Sequence, residues 1–127
     1  SMRAALDAMR GLDRTAHRRR IVVFGEMLEL GAEAERLHLG LKDAIDAAGI
    51  DLVFAVGPNM KKLFDLLPEG MQGGWAETAL ALEAALVAAL RPGDVVMIKG
   101  SNGSRTWQLA AALKAAEAKS ASRQAPA

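Results

Sequence analysis

The chain has 127 residues, of which 51% are hydrophobic and 24% charged, with no cysteine and a net charge of +1. That length is one domain with enough chain to bury a core, and the charge balance carries neither a nucleic-acid footprint nor an acidic tail. Without cysteine, disulfides, thiolate catalysis and cysteine-held zinc are excluded, which fits a cytoplasmic setting.

Met2, Ala5, Leu6 and Met9 recur at helical spacing up to Gly11, so a short helix opens the chain. Arg3, Asp7 and Arg10 interrupt its apolar positions, which is not the pattern of a signal peptide. Residues 12–19 read as a polar loop, and the cluster Arg18-Arg19-Arg20 as a solvated lead into a strand. Ile21–Phe24 is a short, β-branched, apolar run ending at Gly25, the pattern of a strand buried on both faces of a parallel sheet. Ala34, Leu37, Leu41, Ala44, Ile45 and Ala48 then make one helical face, closed by Gly49 as a C-terminal cap.

Leu52–Val56 reads as the second buried strand, ended by Gly57-Pro58, and Met60, Leu63, Phe64 and Leu67 as the helix after it. Residues 71–75 are a weaker strand, because Gly73 and Gly74 have no side chain to pack. Leu82, Leu86, Ala89 and Leu90 line a further helix, stopped by Arg91-Pro92-Gly93. Val95–Ile98 is the last strand, and Leu109, Leu113 and Ala116 line the closing helix. Strands alternating with helices imply an α/β fold: a three-layer Rossmann-like sandwich with a mostly parallel sheet and helices on both faces. Residues 1–117 form the expected domain and 118–127 a disordered tail. No apolar stretch reaches the roughly 20 residues of a membrane span.

Such a sheet gathers the loops Gly25–Gly31, Gly57–Met60 and Gly100–Ser104 on its carboxyl edge, where α/β folds build ligand sites. Lys99 followed by Gly100, Ser101, Asn102, Gly103 and Ser104 leads into a helix N-terminus and suits a carboxylate or phosphate. The alternative is a Ser104 cap with Lys99 reaching into solvent. Neither GxxxxGK[ST] nor GxGxxG occurs, so the loops carry no P-loop and no dinucleotide fingerprint. Glu26 and Glu29 in the first loop would receive an ammonium or a basic partner, or stay solvated above Met27 and Leu28. Two histidines without a cluster of other ligands do not make a metal site, and His38 reads as a boundary residue. Trp75 and Trp107 read as packing residues.

RRIVVFGEMLELG (19–31), AERLHLG (34–40), AGIDLVFAVG (48–57) and RPGDVVMIKGSNGSR (91–105) together resemble one family. It is the UDP-N-acetylmuramoyl-tripeptide:D-alanyl-D-alanine ligases (MurF), and the resemblance is to their C-terminal domain, from Met2 to about Leu113. It implies an ATP-dependent enzyme that joins D-alanyl-D-alanine to UDP-N-acetylmuramoyl-tripeptide in peptidoglycan synthesis through an acyl phosphate. ATP and Mg2+ would be held mainly by a central domain and the UDP end by an N-terminal domain. Neither domain is in this chain, so no catalytic residue is expected here and the fragment alone would be inactive.

By the same resemblance Lys99, Ser101 and Asn102, with Gly57 and Asn59, would hold the incoming dipeptide. Glu26 and Glu29 fall in the family motif without an assigned role. Thr106 and Trp107 stand where many members carry Met. A stand-alone module binding a small carboxylate or phosphate compound is the alternative reading.

Overall fold

Residues 2–12, 19–26, 34–100 and 105–124 are described by the computed structural model of the chain. Strands β1 (Arg20–Phe24), β2 (Leu52–Val56), β3 (Gln72–Ala76) and β4 (Val95–Lys99) form one sheet in the order β3-β2-β1-β4. Every pairing in it is parallel. The helices are α1 (Met2–Arg10), α2 (Ala34–Ala47), α3 (Lys61–Leu66), α4 (Ala79–Ala89) and α5 (Trp107–Gln124).

Alternation along the strands sends Val22, Phe24, Val53 and Ala55 to one core, where Leu6, Met9, Leu41, Ile45, Leu63 and Phe64 of α1–α3 cover them. Ile21, Val23, Phe54 and Val56 face the other core, under Ala79, Leu82 and Leu86 of α4 and Leu109 of α5. β1 is buried at every residue because helices cover both of its faces, which is why it reads as an unbroken apolar run. The expected sandwich is therefore the observed one. Gly49 ends α2 in the left-handed region at φ 66°, as its cap role requires. At the other end of the chain, α5 runs past Ala118 to Gln124.

The weak strand over residues 71–75 is a full member of the sheet, and a close approach explains its glycine. A Cβ on Gly73 would lie 2.6 Å from the Phe54 ring, so only a bare backbone lets that ring pack beneath β3. The pairing slips at this point: Val53 opposes Gln72, whereas Phe54 opposes Gly74. A missing side chain, read in sequence as a lost contact, is here the seat for a neighbour's ring.

The arginine cluster departs from expectation as well. Arg20 is only 8% exposed. Its Nη1 donates to Ala48 O at 2.7 Å, and its Nη2 to Leu12 O at 2.8 Å and Arg10 O at 3.2 Å. Those carbonyls close α1 and α2, so one guanidinium satisfies helix C-termini where the backbone dipoles favour a cation. The Arg20 N–H also donates to Asp51 Oδ2 at 2.8 Å. Arg19 clasps Asp94 with both arms, Nε to Oδ1 at 2.8 Å and Nη2 to Oδ2 at 2.6 Å. Asp94 accepts a further bond from the Arg91 N–H at 2.7 Å, closing the turn that delivers β4.

The Asp94 side chain is 4% exposed and that of Arg19 23%. Burial pushes the Asp94 carboxyl up, but the hydrogen bonds from Arg19 and Arg91 outweigh it and hold the group below its ordinary value. Asp94 in turn raises the Arg19 guanidinium, chiefly through the same hydrogen bonds. Because the folded-state value of Asp94 is the lower one, its stabilisation is complete above the ordinary aspartate pKa. It is lost as the pH falls through the folded value. Asp94→Asn should therefore cost about 1–3 kcal/mol at pH 7, discounted for the partial exposure of Arg19. Urea unfolding should show the gap to the parent chain closing as the pH drops below about 4. A gap that stays constant down to pH 2 would contradict the assignment.

Candidate functional site at the carboxyl edge

In the order β3-β2-β1-β4 the chain leaves β1 toward β2 and later returns to β4 on the opposite side. The connections therefore diverge between β1 and β4, the crevice where open parallel sheets place ligands. Phe24 pairs with Lys99, and the Gly25 N–H donates to Lys99 O at 2.7 Å. The first loop thus starts beside the end of the last strand, and Lys99 is exposed at that edge. Ser101, Asn102 and Glu29 lie outside the described residues, as do Met27 and Leu28. His38 belongs to α2 by its backbone, and its side chain is likewise outside them.

Glu26 is half-buried, with its carboxylate turned onto the second loop. Its Oε1 accepts the Asn59 backbone N–H at 2.9 Å. Gly57 makes that reach possible, because a Cβ on it would fall inside the Glu26 carboxyl group. With φ at 101°, Gly57 also occupies backbone space that side chains disfavour. Pro58–Met60 follows as a single 3₁₀ turn, with Met60 buried as its anchor. Of the expected site residues, Glu26, Gly57 and Asn59 come together, and Glu26 is bound to the second loop instead of being merely solvated.

Gly57 is held from its other side by β3. Its N–H donates to Ala76 O at 2.9 Å, and the Trp75 indole Nε1 donates to its carbonyl at 2.7 Å. Trp75 also packs on the core beneath and carries the Lys61 ammonium 5.3 Å above its ring. Trp107 does not match the expected packing role, being 65% exposed at the start of α5.

Beside these loops opens a groove of about 430 Å³, lined by Glu26, Val56, Glu77, Thr78, Arg105 and Gln108. It holds both signs of charge. Thr78 caps α4 by accepting the Ala81 N–H at 3.2 Å. Arg105, at φ 55°, turns the chain into α5 through a left-handed residue. Glu77 and Thr78 escaped the sequence reading because they follow β3, the strand whose glycines weakened it, so its loop was not among those gathered on the edge. Arg105 closes the KGSNGSR motif, and only the turn of the backbone shows that it borders the groove. Among the described residues, no group of three His, Cys, Asp or Glu side chains is placed to hold a metal. No helix there is long and apolar enough to cross a membrane.

Residues 1–102 match the family described as Mur ligase, glutamate ligase domain. The chain is 32% identical over 103 residues to the UDP-N-acetylmuramoyl-tripeptide–D-alanyl-D-alanine ligase of Rickettsia prowazekii, which covers 81% of this chain and 22% of that protein. To the Escherichia coli K12 enzyme of the same name it is 33% identical over 96 residues, 75% of this chain and 21% of that one. In fold it resembles the MurF ligase of Thermotoga maritima, solved in complex with ADP, with a TM-score of 0.71 at 18% identity. That likeness covers 93% of this chain and 26% of the other. The chain thus spans between a fifth and about a quarter of the length of these proteins.

Trp75→Phe keeps the ring over the core and removes the indole N–H from Gly57 O. It should cost about 1 kcal/mol in urea unfolding and shift the amide resonances of Gly57, Asn59 and Met60. Unchanged resonances there would show that the indole does not hold the loop.

Proposed function

The chain belongs to the Mur ligase family, and from that premise we propose that it is the C-terminal domain of a D-alanyl-D-alanine-adding ligase. The whole enzyme would phosphorylate the carboxylate of UDP-N-acetylmuramoyl-tripeptide with ATP and let the dipeptide's amine attack the acyl phosphate, in the cytoplasm. Nucleotide, Mg2+ and the UDP end belong to the parts of such a ligase outside this chain. The share of this domain is to receive the incoming dipeptide and close the cleft.

The observation that carries this reading is the Gly25–Lys99 hydrogen bond, which brings the first residues of GEMLELG and KGSNGSR together at the crevice between β1 and β4. A dipeptide is a zwitterion. In this reading Lys99, with Ser101 and Asn102, holds its carboxylate, and Gly57 and Asn59 form the wall beside its side chains. Lys99 is exposed at the edge, as a group that meets a ligand must be.

An amide-resolved NMR titration tests it. D-Ala-D-Ala should shift Gly57, Asn59 and the resonances from Lys99 through Ser104, and L-Ala-L-Ala should shift them far less. Equal responses to both dipeptides would refute a site built for this substrate. In the full-length ligase, Lys99→Ala should raise the KM for the dipeptide by about tenfold or more, the worth of one hydrogen bond to a charged group, and leave that for ATP nearly unchanged. A defect confined to ATP would remove Lys99 from the dipeptide site.

A further inference from the structure

We propose that Glu26 is a positioning residue: its carboxylate sets the conformation of the Gly57–Met60 turn and so presents Asn59 to the dipeptide. The inference rests on the dipeptide reading for its purpose, but its geometry stands on two separate observations. One is the hydrogen bond from the Asn59 N–H to Glu26 Oε1 at 2.9 Å. The other is the steric match between Glu26 and Gly57, whose missing side chain leaves the space that the carboxyl group fills.

The physics favours a clamp over a casual contact. Asn59 sits in the 3₁₀ turn Pro58–Met60, whose first residue is proline and donates no hydrogen bond. No side chain of the residue that opens this turn caps it, since that residue is Gly57. The carboxylate of Glu26 therefore supplies from the loop after β1 the acceptor that a Ser or Asp would supply locally. A hydrogen bond to an ionised acceptor is also stronger than one between neutral groups.

Among the described residues, the backbone of β3 and the Trp75 indole hold Gly57, while the Asn59 N–H is bound by Glu26. Met60 is anchored by burial and by its N–H to Gly57 O at 3.2 Å, so the turn is pinned at both ends. Pro58 and Asn59 between them are exposed. Glu26 follows Gly25, whose N–H is bonded to Lys99 O, so the clamp starts from the point where β1 and β4 meet.

Glu26→Ala, Glu26→Gln and Gly57→Ala in this chain test the idea, read by hydrogen exchange at Asn59 and by D-Ala-D-Ala affinity. Glu26→Ala should speed Asn59 exchange roughly tenfold, and Glu26→Gln, which keeps a carbonyl oxygen in place, should restore most of the protection. Gly57→Ala should reproduce Glu26→Ala at Asn59 by evicting the carboxylate, with the distant core amides unchanged in all three variants. Dipeptide affinity should fall in the same order, about tenfold for Glu26→Ala and within about threefold for Glu26→Gln.

Asn59 exchange that is unaltered in Glu26→Ala would overturn the clamp, whatever the dipeptide does. Loss of Asn59 protection with undiminished dipeptide affinity would overturn its positioning role. If the parent chain and the full-length ligase both ignore D-Ala-D-Ala while the exchange order holds, the dipeptide reading fails and the clamp on the turn stands.

Discussion

Register along β1 is the constraint on which everything else depends. A parallel sheet of short, apolar, β-branched strands can slip by two residues without turning a single side chain to the wrong face, so burial alone does not choose the alignment. The choice is made at the amino edge. Asp51 precedes β2 and Asp94 precedes β4, and each binds a residue at the start of β1, Asp51 the Arg20 N–H and Asp94 the Arg19 guanidinium. A slipped strand would leave Asp94 buried without its partner, which costs far more than the lost apolar contacts of one methyl group.

That alignment is what the opposite edge uses. With β1 fixed between β2 and β4, Gly25 falls beside Lys99, and Glu26 lies within reach of the turn after β2. From β4 through β1 and β2 to β3, four hydrogen bonds run across the carboxyl ends: Gly25 to Lys99, Asn59 to Glu26, Gly57 to Ala76, and the Trp75 indole to Gly57. The loops that meet a substrate in our reading are thus mounted on a braced rim, as precise positioning requires.

The core was legible because burial writes itself into composition. Ile21–Phe24 and Leu52–Val56 have helices on both faces and therefore no polar residue, and the apolar faces of α2 and α4 recur at helical spacing. The family motifs were legible for the same reason that they are motifs: both loops are read as strings. Long-range polar pairs were not. Nothing local tells Arg20 from a solvated arginine, because its acceptors are carbonyls at the ends of two helices. A faint signal existed in the aspartates standing just before β2 and β4, opposite a pair of arginines before and at the start of β1. Glu26 was similarly hidden, since its partner is a backbone N–H 33 positions away. β3 was half legible, because a glycine carries no record of the ring that rests on it.

That ring has a consequence for the outer margin of the sheet. β3 is an edge strand, and an open edge is a template on which another polypeptide can add a strand. The pairing slips between Val53 and Phe54 where the Phe54 ring seats closely on Gly73, so the backbone of β3 is locally irregular where an incoming strand would need a regular ladder. The feature that completes the core thereby also discourages edge-to-edge association along β3, a strand that among the described residues carries no charged residue and no proline as a guard.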